Sequence, residues 1–416
     1  MYNSRKREIP AWITLIRIVL GVVFIASGFL KGVDPWGTAI KSNEYLVAFG
    51  MEWLSDTAYI LAILQCAFEM WLGLLLLFNQ LRSFTRFFTL LFMLFFTVLT
   101  LIIALTDPVS DCGCFGDAIK LTNWETFIKN LILLPLSVIL FLHMRREIVT
   151  DRPRGGIITT TLLLALFPSL SATYNLPWID FLPYEAGANI PSKMYVAPQD
   201  RGVTHTTLLY KDLETEDIQE FELTDTTWYD TTRWEFVDTR VVELSKGKEP
   251  EITNFVIFNQ TDDLTDEILS EDEVFILVAD RLEDISERQA RRLGRIAQWT
   301  REKGIRTICL TTSSLNNVSK FHQAIGVSVP CYNIDATTLK TMLRAHYGLV
   351  VLARGTIIAK KNVQQIPNFE KAGVDSGLEF VLKRLYRNNE KTFIIIYTLL
   401  ILGLLLGKHY TCKRSS

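Results

Sequence analysis

Long apolar runs alternate with short polar connections over the first 175 residues, and a long polar stretch follows them. A helix needs about 17 to 25 mostly apolar residues to cross the hydrocarbon core of a bilayer. Four runs reach this length, and two shorter ones are flanked by polar residues as spans usually are. The pattern therefore predicts six membrane-spanning helices, over Ala11–Leu30, Ala58–Phe78, Phe84–Leu105, Phe127–Met144, Ile157–Ala172 and Thr392–Gly407.

Basic residues crowd every second end of these spans, which predicts the orientation of the chain. They are Arg5, Lys6, Arg7, Arg82, Arg86, Arg145, Arg146, Arg152, Arg154, Lys408, Lys413 and Arg414. Cytoplasmic ends of membrane helices carry an excess of Lys and Arg. We therefore expect a multi-pass membrane protein with both termini in the cytoplasm and residues 176–390 outside it.

The polar stretch contains two patterns. Residues 206–244 hold segments such as "TTLLYKDL" and "WEFVDTRVVEL", whose alternation of apolar and polar residues predicts antiparallel strands. From Glu273 the pattern predicts a strand, a helix, a second strand, a helix, "CYNID" as a short edge strand, another helix and a hairpin. A last helix is predicted over Gly377–Arg387.

This order of elements resembles the thioredoxin fold over the last third of the chain. Where a thioredoxin carries Cys-x-x-Cys, the matching stretch here is "DRLEDISE". The resemblance therefore implies a thioredoxin-like domain without its redox motif, suited to holding a partner. Cys309, within an apolar strand, is expected to be a buried packing residue, and whether it pairs with Cys331 is left open.

Composition excludes some functions. The chain is 49% hydrophobic with a formal net charge of −2, and it shows no nucleic-acid motif, so nucleic acid is not expected as a partner. Six cysteines in 416 residues are too few for a disulfide-stapled scaffold. The five histidines are scattered without ligand spacing, so no metal is expected.

The segment "DCGCFG" between the third and fourth spans carries the candidate redox pair, Cys112 and Cys114. Gly113 lets the backbone bend enough to bring two such close thiols together. Asp111 and Asp117 would raise a thiol pKa, whereas Lys120 or the start of the fourth helix would lower it. Thiol–disulfide exchange, a structural disulfide and a packed turn all remain open.

Three patches, "SGFLKGVDPWG", "FEMWLG" and "DCGCFG", resemble the DoxX and MauE group of four-helix bacterial membrane proteins over about Trp12–His143. The resemblance implies a helical bundle in the bacterial inner membrane, associated in the MauE branch with maturation of a disulfide-rich periplasmic enzyme. It also invites comparison with the DsbB proteins and the vitamin K epoxide reductases, which are quinone-linked thiol oxidases. A quinone cofactor and a periplasmic cysteine-containing client are the corresponding expectations.

Two charged residues, Arg17 and Glu69, fall within predicted spans, where an ionisable group is costly and usually faces protein or water. Both are expected in the cytoplasmic half, where they could pair between the first two spans or contribute to a cofactor site. In the alternative, Arg17 reaches the lipid headgroups while Glu69 is protonated or hydrogen-bonded.

Together these features predict an α-helical membrane bundle followed by an α/β thioredoxin-like domain. The expected organisation is a DoxX/MauE-like domain over 1–150, a fifth helix over 151–175, a β-rich segment over 176–255, the thioredoxin-like domain over 256–390 and a sixth helix with its tail over 391–416. Two functions remain open, a thiol–disulfide oxidoreductase and a non-catalytic envelope assembly or interaction protein. Membrane lipid and a periplasmic cysteine-containing client are the expected partners, and the identity of the client and the oligomeric state are left open.

Overall fold

The computed structural model describes most of the chain, and contacts divide it into two compact units. One unit comprises residues 1–187 and 256–416, and the other is Ala188–Phe255. The described residues are 10–109, 112–144, 154–197, 200, 203–222, 225, 227–245, 247–248, 250–366, Ile395, Tyr397, Thr398 and Ile401.

Five helices in the described part of the chain are long and apolar enough to cross a membrane, which confirms the first five predicted spans. The sixth predicted span, Thr392–Gly407, lies outside the described residues except for four helical positions, and the helix predicted over Gly377–Arg387 lies wholly outside them. The elements of this region are α1 (Ala11–Val33), α2 (Pro35–Ala48), α3 (Ala58–Phe78), α4 (Arg82–Thr106), β1 (Cys114–Asp117), α5 (Asn123–Met144) and α6 (Gly155–Tyr174).

Helices α1 and α3 pack closely because glycines line their interface. A Cβ at Gly28 would lie 2.5 Å from the backbone nitrogen of Met70, and one at Gly73 would lie 2.7 Å from the carbonyl oxygen of Gly21. Small residues allow this approach of two helix backbones within a membrane. Helices α1 and α3 therefore form a closely packed pair, and the other helices of the bundle pack around this pair.

Helix α2 was not predicted, although its start carries a recognisable signal. Asp34 caps it by accepting a hydrogen bond from Gly37 N at 3.0 Å, and Pro35 occupies the first helical position. Both choices are typical of helix N-termini. The helix packs against α3 at the end of the bundle where α1 ends and α3 begins.

The connection from α4 to α5 and the end of α6 lie at this same end of the bundle. Asn123 Nδ2 donates to Asp107 Oδ1 at 2.7 Å, which joins the end of α4 to the start of α5. Tyr59 Oη donates to Thr173 Oγ1 at 2.9 Å, which joins α3 to α6. The loop with the two cysteines and the chain that follows α6 therefore lie at the same end of the bundle.

The unit Ala188–Phe255 contains a short helix and a three-stranded antiparallel sheet in the order β3-β2-β4. Its elements are α7 (Ile190–Met194), β2 (Val203–Asp212), β3 (Ile218–Glu222) and β4 (Trp234–Ser245). The antiparallel strands predicted over 206–244 are thereby confirmed.

The C-terminal α/β region forms a seven-stranded sheet in the order β11-β10-β7-β8-β9-β5-β6. Strands β7, β8 and β9 are parallel, while β10 is antiparallel to both β7 and β11. The elements are β5 (Phe258–Asn259), β6 (Asp262–Asp263), α8 (Thr265–Ser270), β7 (Val274–Ala279), α9 (Glu287–Glu302), β8 (Arg306–Thr311), α10 (Val318–Ile325), β9 (Cys331–Asn333), α11 (Ala336–Met342), β10 (Tyr347–Ala353) and β11 (Thr356–Asn362).

One strand of this sheet differs from its predicted position. The segment "CYNID" was expected at an edge, but β9 lies inside the sheet because Phe258 of β5 pairs with Asn333. Strands β5 and β6 are only two residues long each, too short for an alternating pattern to predict. The sheet therefore extends beyond β9 through elements that carry little sequence signal.

Candidate functional site

The two cysteines of the loop between α4 and α5 lie in direct contact. Cys112 Sγ and Cys114 Sγ are 2.7 Å apart, and both are free thiols. Gly113 and Gly116 have φ angles of +61° and +60°, a region that glycine enters without steric cost, and Gly116 N donates to Gly113 O at 3.0 Å. The tight turn created by these glycines brings the sulfur atoms together.

Hydrogen bonds from the helices hold this turn against the end of the bundle. Ser27 Oγ of α1 donates to the carbonyl oxygen of Cys114 at 2.7 Å, and Tyr45 Oη of α2 donates to that of Cys112 at 2.8 Å. Asn123 Nδ2, at the start of α5, donates to Val109 O at 2.8 Å. Helices α1 and α2 thus hold the backbone of the two cysteines, and α5 holds the segment that precedes them.

The two thiols are electrostatically unequal. A hydrogen bond with Cys112, followed by the nearby charges of Lys129 and Lys31, lowers the pKa of Cys114 to about 7 despite its burial. The same thiol–thiol hydrogen bond, together with burial, raises the pKa of Cys112. The shared proton therefore resides on Cys112, and Cys114 is the sulfur that carries negative charge most readily.

The charges near the cysteines differ from those expected. Lys129 and Lys31 favour the Cys114 thiolate, a role that the sequence had suggested for Lys120. Asp117 instead accepts a hydrogen bond from Arg344 Nη2 at 2.8 Å. Asp111 lies outside the described residues.

Arg17 and Glu69 have different partners, so the pairing expected between them is corrected. Glu69 of α3 forms a buried salt bridge with Lys31 of α1, because these two helices pack closely against each other. Arg17 Nη1 donates to the carbonyl oxygens of Leu76 and Leu77 at 2.5 and 3.2 Å. Glu69 therefore belongs to the surroundings of Cys114, whose pKa its charge tends to raise, whereas Arg17 contacts the last turn of α3.

A cavity of about 570 Å³ opens between the helices beside the cysteine turn. Much of its wall is aromatic and aliphatic, as at Phe24, Phe92 and Phe96, and at the turn it is lined by Cys112, Gly113 and Cys114. Lysines add positive charge to the lining, namely Lys31, Lys41 and Lys129. An apolar pocket of this size with a few polar groups is typical of small-molecule sites.

The α/β region is attached to the same end of the bundle through a buried arginine. Arg344 Nε donates to Asp34 Oδ2 at 2.9 Å, and Arg344 Nη2 donates to Asp117 Oδ2 at 2.8 Å. The ring of His346 packs edge-on against Trp36 with centroids 4.7 Å apart. Since Asp117 ends the strand that Cys114 begins, Arg344 connects the α/β region directly to the cysteine turn.

Several residues of this site were not identified from the sequence. Lys129 is a lone cation within the fourth predicted span, so the rule that singled out Arg17 and Glu69 would also have found it. Lys31 directly follows the predicted end of the first span, within the quoted "SGFLKGVDPWG". Arg344 lies 310 residues from Asp34, and no local pattern marks that contact.

Replacing Lys129 with methionine is expected to slow alkylation of Cys114 about fivefold at pH 7. The loss of a nearby cation raises a thiol pKa, and a rise of about one unit from 7 reduces the thiolate fraction by that factor. At pH 9.5 the rates should converge because Cys114 is then largely ionised in both the variant and the wild type. Iodoacetamide labelling, with fragment ions that separate Cys112 from Cys114, measures the effect.

The matched control for this prediction is Lys120→Met, which removes an exposed lysine from the same loop. This variant should react at the wild-type rate at both pH values. Equal rates for Lys129→Met and wild type at pH 7 would contradict the proposed electrostatic role of Lys129.

Among the residues that the structure describes, no group of three or more His, Cys, Asp and Glu side chains could hold a metal ion. The site itself offers two thiols in contact, lysines and an apolar cavity. Two thiols in contact can form or open a disulfide by exchange.

Comparison with known proteins identifies the membrane part of the chain. No curated protein and no solved structure matches the chain. Residues 9–143 match the family described as "Methylamine utilisation protein MauE". This range contains α1 to α5 apart from the final residue of α5, and it includes both cysteines, the lysine partners and the cavity. The protein is therefore a multi-pass, MauE-like integral membrane protein with a MauE-family domain over residues 9–143.

Proposed function

We propose that this protein is a membrane thiol oxidoreductase, which transfers electrons from the cysteines of an extracytoplasmic client to a quinone through Cys112 and Cys114. The observation that carries the proposal is the position of the two contacting thiols on the wall of a largely apolar cavity within the bundle. A structural disulfide would not require a neighbouring cavity or cations that favour one thiolate.

The reaction begins with a Cys112–Cys114 disulfide. A client thiolate attacks Cys112 Sγ, the disulfide bond breaks, and Cys114 leaves as a thiolate. Cys114 is the better leaving group because its thiol has the lower pKa, about 7. A second client thiolate then attacks the client sulfur of the mixed disulfide and expels Cys112. The client has lost two electrons and two protons, and the cysteine pair has gained them.

The cavity fits a quinone in size and in the chemistry of its lining. Phe24, Phe92 and Phe96 provide the apolar surface that a ring and its prenyl chain require, and lysines Lys41 and Lys129 provide donors for carbonyl oxygens. A bound quinone would accept the two electrons and two protons of the dithiol. Cys112 and Cys114 both line this space, and their S–S bond would form again as the two thiols give up two electrons and two protons to the quinone. The buried Lys31–Glu69 pair keeps a cation beside Cys114.

The α/β region supports the client side of the proposal. Its strand order β11-β10-β7-β8, with β10 antiparallel to β7, is the order expected of a thioredoxin-like core. The position where a thioredoxin carries its cysteines follows β7, and Asp280 at that position contacts His346 Nδ1 at 2.8 Å. His346 in turn packs on Trp36 of the membrane domain. We assign this thioredoxin-like domain to positioning the turn and its client.

The proposal includes an orientation in the bacterial inner membrane, with residues 176–390 in the periplasm, the termini in the cytoplasm, and a four-helix core of DoxX/MauE type. The alternation of basic loop ends supports this orientation. The contact of Arg344 with Asp117 supports a common side for the cysteine turn and the α/β region. A reporter fused near residue 250 that behaved as a cytosolic protein would overturn it.

The direct test measures quinone reduction by the purified full chain in lipid nanodiscs. With a reduced dithiol peptide and a short-chain ubiquinone, we expect loss of quinone absorbance at a rate well above that of empty nanodiscs. The matched control is Cys66→Ser, which removes a buried thiol of α3 and should retain the rate. The non-catalytic assembly role would be favoured if the folded wild-type protein showed no rate above background. In that case acid trapping should also show no change in the oxidation state of Cys112 and Cys114.

A further inference from the structure

A second pair of thiols lies in the α/β region, on two adjacent parallel strands. Cys309 of β8 is in register with Cys331 of β9, and Cys309 N donates to Pro330 O at 2.8 Å. Adjacent strands are about 4.8 Å apart, within the Cα separations of about 4.4 to 6.8 Å that disulfides span. Both side chains pack into the same apolar cluster, so they lie on the same face of the sheet.

The two sulfurs differ in exposure and in their partners. Cys309 is fully buried, whereas Cys331 is half-buried at the start of its strand. Cys331 Sγ lies 3.7 Å from His322 Nε2 of α10. A hydrogen bond with Cys309, followed by contact with His322, lowers the pKa of Cys331 to about 7, while the pKa of Cys309 is raised. An accessible thiolate next to a buried thiol is the arrangement that thiol–disulfide exchange requires.

We infer that Cys331 and Cys309 form a second dithiol–disulfide centre, in which Cys331 exchanges with disulfides from solvent and Cys309 completes the exchange. This centre uses none of the residues assigned to the membrane site, so it goes beyond the function proposed above. A lone packing cysteine would need neither an in-register partner thiol nor a histidine beside it.

The exchange is balanced with a disulfide of a protein or small molecule, R–S–S–R, as the oxidant. The Cys331 thiolate attacks one sulfur, forms a mixed disulfide with R–S and expels the other R–S⁻. Cys309 gives up its proton and attacks Cys331 Sγ, which expels the second R–S⁻. The centre loses two electrons and two protons, and R–S–S–R becomes two R–SH. The reverse reaction delivers the same electrons to a disulfide client.

The test uses the full chain in detergent with Cys112 and Cys114 both replaced by serine, so that its result is independent of the membrane site. The reduced protein is incubated in glutathione buffers of increasing GSSG content, quenched with acid, alkylated, digested and analysed by mass spectrometry. We expect a Cys309–Cys331 disulfide that forms over a defined range of buffer potential. Cys331→Ser should abolish it, and Cys66→Ser should leave it unchanged.

Cys309→Ala should halt the reaction at a Cys331–glutathione mixed disulfide. Since a core substitution can prevent folding, circular dichroism and gel filtration are recorded for each variant, and the unmodified Cys309–Cys331 pair carries the decisive measurement. If both cysteines of the folded protein remained alkylatable in buffer with GSSG alone, the second centre would be overturned.

Discussion

Replacing Cys114 with alanine is expected to abolish quinone reduction and, with an added small disulfide as oxidant, to trap Cys112 in a mixed disulfide with a client that carries a single cysteine. Without Cys114 no Cys112–Cys114 disulfide can form, so the oxidant first forms a mixed disulfide with Cys112, and its outer sulfur leaves when the client thiolate attacks Cys112. A client with one cysteine has no second thiol to release itself, and the variant has no Cys114 thiolate to displace it. Activity should fall by at least about 100-fold, the loss expected when a covalent catalytic group is removed.

The measurement is a non-reducing gel of acid-quenched cells, with the adduct identified by mass spectrometry after reduction. Cys112→Ala is the matched control, because it should lose quinone reduction equally yet trap far less client. Its remaining thiol, Cys114, has the lower pKa and is therefore the better leaving group, so a mixed disulfide on Cys114 is more readily reversed. Equal trapping by both variants would contradict the assigned order of attack. If neither variant formed an adduct, and the variant with both Cys112 and Cys114 replaced by serine kept its biological function, the proposed enzymatic role would be excluded.

The membrane spans and the cysteine turn could be predicted because their signals are local. A run of apolar residues is sufficient to mark a helix such as α4, and Cys112-Gly113-Cys114 cannot place its thiols far apart. The strands of the α/β region were predicted for the same reason, since each shows a pattern over a few residues. Helix α2 was missed despite its Asp-Pro start, because its polar side chains interrupt any long apolar run.

The partners of the charged groups could not be predicted, because they depend on how distant segments pack. Glu69 could be recognised as costly within a span, but only the close contact of α1 with α3 selects Lys31 over Arg17 as its cation. Likewise, nothing near Cys309 in the sequence shows that it is in register with Cys331. Intramembrane charge thus predicts that a partner exists, and the fold decides which residue it is.

Replacing Arg344 with alanine is expected to destabilise the attachment of the α/β region by about 3–5 kcal/mol, the usual cost of removing one member of a buried ion pair. Arg344 and Asp34 are both buried, and the variant would leave Asp34 and Asp117 without their shared cation. Because Asp117 ends the strand that Cys114 begins, the turn should also loosen, and the buried Cys112 should be alkylated faster. Thermal unfolding in detergent and the rate of Cys112 labelling measure the two effects.

The effect should depend on pH in a direction fixed by Asp34. Burial raises the pKa of its carboxyl group even in the presence of Arg344, so the folded state binds a proton more readily than the unfolded state. The free energy of unfolding therefore falls as the pH rises from the ordinary pKa of an aspartate through the raised pKa of Asp34. Without Arg344 the charged form loses its partner, so the loss should be larger at pH 8 than at pH 5. Adding Asp34→Asn should restore part of the stability by removing the unpaired charge.

Arg354→Ala is the matched control, since Arg354 forms an exposed pair with Asp272 in the same region and should cost less than about 1 kcal/mol. An Arg344→Ala variant that lost no more stability than this control would show that the buried ion pairs do not hold the two parts together. If stability fell but the rate of Cys112 labelling did not change, the proposed effect of Arg344 on the cysteine turn would be contradicted. The two readouts thereby separate attachment of the domain from control of the cysteine pair.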